Sequence, residues 1–362
     1  MIDVAIDSGP LHGHRTGVGQ AVAGMLDALG DLPGLTLKPY VTSIRATLGP
    51  QERRLPIPAA AAQRIWARTT ALPMDRFLDR PHVVHGTNYV VPPARCVRVV
   101  SVYDCWFLEH ADEAVPDVRR AAAVLRRAVD TGAHVVTSSA ATTRKVGELL
   151  GTTSVTTVPL GVPPRSDAAP ERTPRLVEIE EPFVLALGTI ERRKNIPTLV
   201  AAFGHLAAED PTARLVLAGA PGDDIARVHA ALDRLPVDAR NRVTGLGMVT
   251  DAEKEWLLAN AAVLAYPSLD EGFGFPILEA QQAGTPVVAS SVGSIPEVGG
   301  SAVLLAPPRD AHALAANLHW MVSDSTMRTR TIERGHRNVE RFSWAATAQH
   351  LLAVYDSLVA AP

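Results

Sequence analysis

The second half of the chain alternates short apolar runs with amphipathic segments. The runs are rich in Val, Leu and Ala, and the stretches between them repeat apolar residues at helical spacing. Short buried strands separated by helices are typical of parallel βαβ units. We therefore predict strands at residues 183–187, 214–218, 242–244, 262–266, 286–290 and 302–305.

The first half repeats this rhythm more weakly, with strands predicted at residues 3–6, 36–41, 82–85, 98–102, 134–137 and 155–158. The predicted fold class is α/β, with two doubly wound Rossmann-like domains. A chain of 362 residues suits two domains of ordinary size. Two such domains would place a ligand cleft between the carboxyl ends of their strands.

Local signals divide the chain into elements and domains. Thr250 and Glu253 form a predicted capping box, and Gly284 lies where the preceding helix should stop. A proline-rich stretch, 163–170, with nearby Pro174 lacks periodicity and is typical of a linker. We expect an N-terminal domain over 1–165 and a C-terminal domain over 175–345.

Composition excludes several classes of protein. The net charge of -3 does not favour nucleic acid, and no apolar stretch approaches the roughly 18 residues that cross a bilayer. The acidic, alternating N-terminus is unlike a secretory signal, so we expect a cytoplasmic protein. Cys96 and Cys105 give neither a disulfide framework nor a metal cluster, and we expect both to be buried, reduced thiols.

Residues 271–279, EGFGFPILE, join two carboxylates, two glycines and a predicted helix start. Gly272 and Gly274 lack the Cβ atoms that would keep a ligand from the backbone, and the proline that follows suits the first helical position. Amides at a helix N-terminus favour an anion such as a diphosphate. Glu271 on the loop and Glu279 in the first turn would accept hydrogen bonds from sugar hydroxyls without a metal. The alternative is an ordinary turn with a solvated acid at each end.

A basic loop follows the predicted strand at 183–187. Residues 188–195, GTIERRKN, precede a helix, so Arg193 and Lys194 would lie beside its N-terminus. Fixed cations there would stabilise the charge that a departing nucleoside diphosphate gains. A solvated basic turn is the alternative.

A glycine-rich loop follows the first predicted strand. Residues 15–20, RTGVGQ, contain Gly17 and Gly19 and resemble half of a dinucleotide-binding fingerprint, without its third glycine. Close approach to a phosphate or substrate and a plain strand-to-helix turn both stay open.

In their order along the chain, these motifs resemble the GT-B glycosyltransferases, specifically glycosyltransferase family 4. The resemblance covers most of the chain and implies two Rossmann-like domains facing a central cleft, with a last helix at 346–360 that returns to the N-terminal, acceptor-binding domain. It is strongest over 183–308 and rests on the stretches at 188–195, 265–268 and 283–290, with 158–162 and 342–344.

The resemblance implies a role for each matching residue. Lys194 and Arg193 would hold the donor diphosphate, Glu279 the nucleotide ribose and Glu271 the donor sugar. Family members usually transfer the sugar with retention and without a metal, so no cofactor is expected beyond a nucleoside diphosphate sugar as co-substrate. Further donor contacts are implied for Thr189, Gly272, Phe273, Gly274 and Phe275.

One position departs from the family pattern. Many relatives have His-Asp after a strand of the N-terminal domain, whereas this chain has Tyr103 and Asp104. Tyrosine is a poor base near neutral pH, since its reference pKa is about 10. Either Tyr103 only orients the sugar, or Asp104 or a nearby histidine takes a larger part. His85, with Asn88 on the acceptor side, is the substitute candidate, and an ordinary structural histidine is the alternative.

Four arginines of the N-terminal half suggest the kind of acceptor. Arg119, Arg120, Arg126 and Arg127 recur at a spacing that places them on one helical stripe. Such a stripe, with Trp66 as an interfacial aromatic, would support peripheral contact with anionic lipid, where many relatives find lipid-linked acceptors. A solvated charged face is the alternative.

Two classes of function follow. The first is a retaining hexosyltransferase that moves a hexose, with mannose from GDP-mannose as a guess, to a hydroxyl of a saccharide or lipid-linked acceptor. The second is a catalytically weak sugar-nucleotide-binding regulatory or scaffolding protein, which Tyr103 allows. An epimerase or a phosphorylase would keep the fold and change the reaction, although no lysine lies in a recognisable pyridoxal site.

Overall fold

The chain divides into two compact units. The computed structural model describes residues 1–13, 16–111, 116–165, 170 and 172–360. Unit 1 comprises Met1–Gly161 and the segment from Phe342 onward, and unit 2 comprises Val162–Arg341. The division falls between Gly161 and Val162, one residue before the predicted proline-rich linker. Of that linker, 166–169 lie outside the described residues.

Unit 1 is a Rossmann-like domain. Its described strands form one parallel sheet of seven strands, in the order β3-β2-β1-β4-β5-β6-β7. The strands are β1 Ile2–Asp7, β2 Leu35–Val41, β3 Arg53–Arg54, β4 Val83–Gly86, β5 Val97–Val102, β6 His134–Thr137 and β7 Val155–Thr157. The helices between them are α1 Gly17–Gly30, α2 Ala59–Trp66, α3 Trp106–Glu109, α4 Pro116–Asp130 and α5 Ala140–Leu150.

Unit 2 repeats this architecture. Six parallel strands follow the order β10-β9-β8-β11-β12-β13 among the residues described. The strands are β8 Val184–Leu187, β9 Leu215–Ala218, β10 Val243–Gly247, β11 Val263–Tyr266, β12 Val287–Ser290 and β13 Val303–Ala306. The helices are α6 Ile196–Glu209, α7 Ile225–Leu232, α8 Val237–Arg240, α9 Asp251–Asn260, α10 Phe275–Ala283, α11 Ile295–Gly299, α12 Ala311–Ser323 and α13 Ser325–Val339.

The strand predictions are confirmed. Every predicted strand has a counterpart whose ends differ by at most three residues, and of the strands in the described residues only β3 was missed. The central strands of unit 2 are buried along their length and pack against apolar side chains of the helices on both sides of the sheet. Burial on both faces explains why the sequence shows continuous apolar runs rather than alternation.

Two predicted helix ends are also confirmed. Thr250 accepts a hydrogen bond from the Glu253 amide at 3.2 Å, and the Glu253 carboxylate accepts one from the Thr250 amide at 2.9 Å. Gly284 ends α10 in the left-handed conformation, with φ of 80°. Glycine suits this position because it has no Cβ to oppose a positive φ.

The final helix, α14, runs from Trp344 to Ala360 and belongs to unit 1. A Cβ at Gly24 or Gly161 would lie 2.2 or 2.4 Å from atoms of Trp344, so both glycines make room for it. Thr347 donates a hydrogen bond to the carbonyl oxygen of Pro159 at 2.8 Å. These contacts dock α14 on unit 1.

Candidate active site

Two loops of unit 2 meet at the carboxyl ends of β8 and β11. These strands are neighbours at the point where the strand order reverses, which is where ligands bind in open α/β sheets. The loop after β8 carries Arg193 and Lys194, and the loop after β11 carries Glu271. The amide of Leu269 donates to the carbonyl oxygen of Arg193 at 2.7 Å, which ties the loops together.

Glu271 is the centre of this site. One of its oxygens accepts hydrogen bonds from Lys194 Nζ at 2.7 Å and from Ser268 Oγ at 2.7 Å. The other accepts from an Arg193 guanidinium nitrogen at 2.6 Å. The Glu271 side chain is only 7% exposed, so a buried carboxylate here pairs with two cations.

The charges in this cluster fix its protonation. Burial alone would raise the pKa of Glu271, but the charges of Arg193 and Lys194 and the hydrogen bonds from Lys194 and Ser268 lower it to about 2. Glu271 is therefore ionised at neutral pH. Burial lowers the pKa of Lys194, against the opposing effect of Glu271.

Local structure holds the two cations in place. Arg193 and Lys194 lie in a single 3₁₀ turn that ends at Asn195, whose φ of 54° is left-handed. The side-chain amide of Asn195 donates a hydrogen bond to the carbonyl oxygen of Pro267 at 3.1 Å, which connects this turn to the loop after β11. Lys194 Nζ also donates to the Tyr266 hydroxyl at 2.9 Å. Thr189, earlier in the same loop, is exposed.

The helix after the glycine-rich loop begins one residue earlier than predicted. Gly274 caps α10 with φ of 107°, so Phe275 is its first residue and Pro276 its second. The prediction of Glu279 in the first turn is therefore wrong, because Glu279 is the fifth residue of the helix. Pro276 still costs no hydrogen bond, since amides of the first turn have no partner within the helix.

Glu279 has a partner that the sequence did not reveal. Its carboxylate accepts a hydrogen bond from Lys254 Nζ at 2.8 Å, and its side chain is 9% exposed. Lys254 lies in α9, directly after the capping-box residue Glu253. The two side chains line a small pocket of unit 2 with Arg165 and Gln282.

The two phenylalanines of the loop after β11 stabilise its conformation. Phe273 and Phe275 are buried and pack edge to face, with ring centroids 5.2 Å apart. Ser294 donates to the carbonyl oxygens of Glu271 and Phe273 at 3.0 and 2.8 Å. The loop that carries Glu271 is thus fixed through both its side chains and its backbone.

The prediction that His85 serves the acceptor side is wrong. His85 is fully buried in unit 1, with one ring nitrogen 2.6 Å from the Tyr355 hydroxyl and the other 2.8 Å from Ser101 Oγ. Burial lowers its pKa to about 3, so the ring is neutral at physiological pH. His85 is the structural histidine that the sequence left as the alternative. Asn88, three residues later, is exposed.

Tyr103 and Asp104 follow β5 directly and face different surroundings. The Tyr103 hydroxyl is buried, and burial raises its pKa, so it is neither a base nor presented to a ligand. This contradicts the prediction that Tyr103 orients the sugar. Asp104 is partly exposed and accepts hydrogen bonds from the Tyr89 hydroxyl and the Trp106 amide, each at 3.1 Å.

The glycines of the motif at residues 15–20 lie in a helix. Gly17 and Gly19 are the first and third residues of α1, and Gly19 is buried. Arg15, at the start of that motif, lies outside the described residues. Gly17 and Gly19 therefore lie at the start of a helix that follows β1.

The basic stripe on α4 is only partly exposed. Arg119 and Arg126 are exposed, whereas Arg120 and Arg127 are partly buried. The prediction of Trp66 as an interfacial aromatic is wrong, because Trp66 is 2% exposed in the core of unit 1. Within the part of the chain that the structure describes, no helix is long and apolar enough to cross a bilayer.

Sequence reasoning missed several residues of the site. Ser268 lies three residues before Glu271, so its position in the motif at 265–268 was a usable signal. Tyr266 ends β11, and its ring lies 4.7 Å from Lys194 Nζ. No spacing rule links Lys254 to Glu279. Among the described residues, no group of three or more His, Cys, Asp or Glu is placed to hold a metal ion.

Known structures share the two-domain fold. Sucrose-phosphate synthase from Thermosynechococcus elongatus matches over 100% of both chains at 20% identity, with a TM-score of 0.76. WaaG, a glycosyltransferase involved in lipopolysaccharide biosynthesis, matches over 99% of this chain and 100% of its own at 18% identity, with a TM-score of 0.71. The fold is therefore that of the GT-B glycosyltransferases, with two Rossmann-like domains.

Sequence comparisons identify the family. The family described as "Glycosyl transferases group 1" matches residues 170–338. O-antigen chain mannosyltransferase B of Escherichia coli is 30% identical over 318 residues, which cover 84% of this chain and 82% of that protein. Phosphatidyl-myo-inositol mannosyltransferase of Mycolicibacterium smegmatis is 33% identical over 179 residues, covering 48% of this chain and 45% of its own. The chain belongs to the group 1 glycosyl transferases and is a hexosyltransferase similar to glycosyltransferase family 4.

Proposed function

We propose that the protein transfers a hexose, with mannose as the first candidate, from a nucleoside diphosphate sugar to a hydroxyl of a saccharide or lipid-linked acceptor. The carboxylate of Glu271, paired with Arg193 and Lys194 at the carboxyl ends of β8 and β11, is the observation that carries this proposal. Mannose is favoured because two of the similar proteins are mannosyltransferases.

The two cations would serve the leaving group. During transfer, the bond between C1 of the hexose and the phosphate oxygen breaks, and the nucleoside diphosphate leaves with the bonding electrons. The acceptor oxygen bonds to C1, and its proton passes to an oxygen of the departing diphosphate. Arg193 and Lys194 would stabilise the charge that develops on the diphosphate, which lowers the barrier because this charge is greater in the transition state than in the bound donor.

Two further donor contacts follow from the site. Glu271 would exchange part of its bonding to the cations for hydrogen bonds from sugar hydroxyls. Glu279, held by Lys254, would accept from the ribose hydroxyls. We propose retention of anomeric configuration and transfer without a metal ion, since the cations already supply positive charge to the diphosphate.

Donor identity is tested by thermal shift with a panel of UDP-, GDP-, ADP- and TDP-sugars. A ligand that binds only the folded protein raises its melting temperature. We expect a GDP-sugar to give the largest shift, and hydrolysis or transfer of that donor to continue in the presence of EDTA. NMR of the product would report the anomeric configuration. No shift with any nucleotide sugar would refute the proposal.

A lipid-linked acceptor would bring the enzyme to a membrane surface. The exposed Arg119 and Arg126 of α4 favour contact with anionic headgroups. We expect flotation with vesicles of anionic lipid at low salt, weakened by Arg119→Ala combined with Arg126→Ala. No flotation at low salt would leave a saccharide as the proposed acceptor.

A further inference from the structure

The segment that leads into β8 packs on α9. This segment, residues 172–179, contains a short 3₁₀ turn at Pro174–Leu176. Leu176 and Ile179 are buried and belong to the same apolar cluster as Trp256 of α9. The segment is therefore fixed against unit 2 through its apolar side chains, and its polar side chains lie beside the start of α9.

Arg175 connects this segment to the loop after β10. Its guanidinium donates hydrogen bonds to the carbonyl oxygen of Met248 at 2.9 Å and to that of Leu246. Between these two residues, Gly247 adopts the left-handed conformation with φ of 64°. A guanidinium suits two carbonyl oxygens of one turn because its donors are fixed in a plane. Arg175 thus holds the turn on both sides of Gly247.

Arg175 also faces a buried carboxylate. The Glu253 side chain is only 6% exposed, and one of its oxygens lies 3.6 Å from the Arg175 guanidinium. Glu253 accepts hydrogen bonds from the Thr250 amide at 2.9 Å and from the Thr173 hydroxyl at 3.2 Å. The Thr250 amide first, and then Thr173 and Arg175, lower the pKa of Glu253 against the effect of burial. Glu253 is therefore ionised at neutral pH, and Arg175 supplies the opposite charge that a buried carboxylate needs.

The first turn of α9 links Arg175 to Glu279. Lys254 is the fourth residue of α9 and directly follows Glu253. Its ammonium group donates to the Glu279 carboxylate at 2.8 Å. Because Lys254 and Glu279 lie on different helices, the geometry of this pair depends on where the first turn of α9 is held.

We propose that Arg175 is a positioning residue for nucleotide recognition. It holds the loop after β10 and the first turn of α9, which keeps Lys254 in place, and Lys254 orients the Glu279 carboxylate for the ribose hydroxyls. The inference rests on the proposed function in assigning the ribose to Glu279. Arg175 acts through these residues, since its own guanidinium is already bonded to the loop and faces Glu253.

Stabilisation of the leaving group depends on other elements. Arg193 and Lys194 lie on the loop after β8 and pair with Glu271. Loss of Arg175 should therefore weaken nucleotide binding and leave the chemical step as it is. Such a change appears as a higher KM for the donor with the same kcat.

The test compares a nucleoside diphosphate with the same nucleotide that carries dideoxyribose in place of ribose. The nucleotide is whichever of UDP, GDP and ADP binds the wild-type full chain most tightly, and calorimetry measures both Kd values. Arg175→Ala removes the guanidinium, and Arg175→Lys keeps the charge with a single donating group. Arg242→Ala is the matched control, because Arg242 donates to three carbonyl oxygens at 3.0 to 3.1 Å and directly precedes the amino end of the same strand, β10.

We expect Arg175→Ala to raise the Kd of the ribonucleotide about tenfold and that of the dideoxy form by about twofold or less, because only the ribose hydroxyls use Glu279. Arg175→Lys should restore part of the affinity. In donor hydrolysis or transfer, Arg175→Ala should raise KM by a similar factor and leave kcat unchanged. Arg242→Ala should keep both Kd values, even where it lowers the free energy of unfolding.

A double-mutant cycle tests the route through Glu279. When Glu279→Gln is already present, Arg175→Ala should cause no further loss of affinity, since both changes remove the same contact with the ribose. Urea unfolding of each variant measures stability separately from affinity.

Three results would overturn the inference alone. One is an unchanged Kd of the ribonucleotide in Arg175→Ala. Another is an equal loss of affinity for the ribonucleotide and its dideoxy form. The third is an additive effect of Arg175→Ala and Glu279→Gln. A wild type that binds none of these nucleotides would instead refute the proposed function.

Discussion

At the scale of single residues, Glu271 connects stability to chemistry. Its carboxylate pairs with two cations while nearly excluded from water, and a buried pair that loses one partner leaves an uncompensated charge. Its lowered folded-state pKa means that the stabilisation is present above the ordinary value of 4.5 and is lost as the pH falls toward 2.

We therefore expect Glu271→Gln to lower the free energy of unfolding at pH 7 by about 3 kcal/mol. The difference between variant and wild type should shrink as the pH falls from 4.5 toward 2. Urea unfolding across this pH range measures it. A difference that does not vary with pH would mean that the charge of Glu271 contributes nothing to stability.

Lys194 tests the catalytic role of the cations. Lys194→Ala removes a charge at the proposed diphosphate site, and we expect a loss of about 10²- to 10³-fold in kcat. The thermal shift given by a nucleoside diphosphate should also decrease. Arg214→Ala is the matched control, because Arg214 directly precedes β9, at the amino ends of the strands rather than the carboxyl ends, and pairs with Glu180. Equal rates for the two variants would contradict the role of Lys194.

Asp7 carries a stability cost of the opposite sign. Because burial raises its folded-state pKa from 3.8 to about 6, its favourable contribution is present below 3.8 and is lost as the pH rises through 6. We expect Asp7→Asn to stabilise unit 1 by about 2 kcal/mol at pH 7.5 and by little at pH 4. Scanning calorimetry at the two pH values measures this, and a lower melting temperature at pH 7.5 would disprove it.

At the scale of elements, most of the fold was predictable because local signals and burial agree. The strands of unit 2 are apolar runs because both faces of the sheet are covered. Thr250 begins α9 as its N-cap and Gly284 ends α10 as its C-cap, each through its own chemistry. Strand β3 was not predictable, because it is only two residues long and both of them, Arg53 and Arg54, are exposed.

The candidate site was predictable only where its residues share a motif. Glu271, Arg193 and Lys194 lie in loops that follow predicted strands, so topology brings them together. Lys254 lies 25 residues from Glu279, on another helix, and no periodicity links them. His85 was misjudged because its partner, Tyr355, lies 270 residues away on a helix whose docking the strand pattern does not show.

The end of α10 offers a test of backbone conformation. Gly284 has φ of 80°, and a Cβ there would meet only ordinary contacts, with His336 3.7 Å away. Gly284→Ala should therefore lower the free energy of unfolding by about 1 kcal/mol through backbone strain alone. Gly245→Ala is the control, since a Cβ there meets nothing within 4 Å and no positive φ is needed. Equal unfolding midpoints in urea would exclude backbone strain as the reason for Gly284.

At the scale of the whole molecule, α14 packs on unit 1 although it is far from the rest of that unit in sequence. The Tyr355 hydroxyl of α14 and a ring nitrogen of His85 in β4 form a fully buried hydrogen bond. Since burial lowers the pKa of His85 from 6.5 to about 3, the unfolded state binds the proton more readily between these values. Stability should therefore fall as the pH falls from 6.5 toward 3.

We expect His85→Asn to remove this pH dependence, because asparagine retains a hydrogen-bonding group and does not titrate. Chemical unfolding of both proteins between pH 7 and pH 4 measures the change. The variant should be less stable than the wild type at pH 7 and lose less of its stability on acidification. Parallel pH profiles would show that His85 is not the acid-sensitive group.

The paired charges around Glu271 also affect how well small phosphates compete for the site. A cell holds abundant small phosphates, and two bare cations at the start of a helix would attract them. Here the carboxylate of Glu271 already pairs with Arg193 and Lys194, and Glu191 lies 3.7 Å from Arg193, so a lone phosphate would gain little by competing for these cations. Under the proposed function, a sugar nucleotide would bring a base, a ribose and a hexose with its phosphates, and those added contacts would let it bind where inorganic phosphate would not.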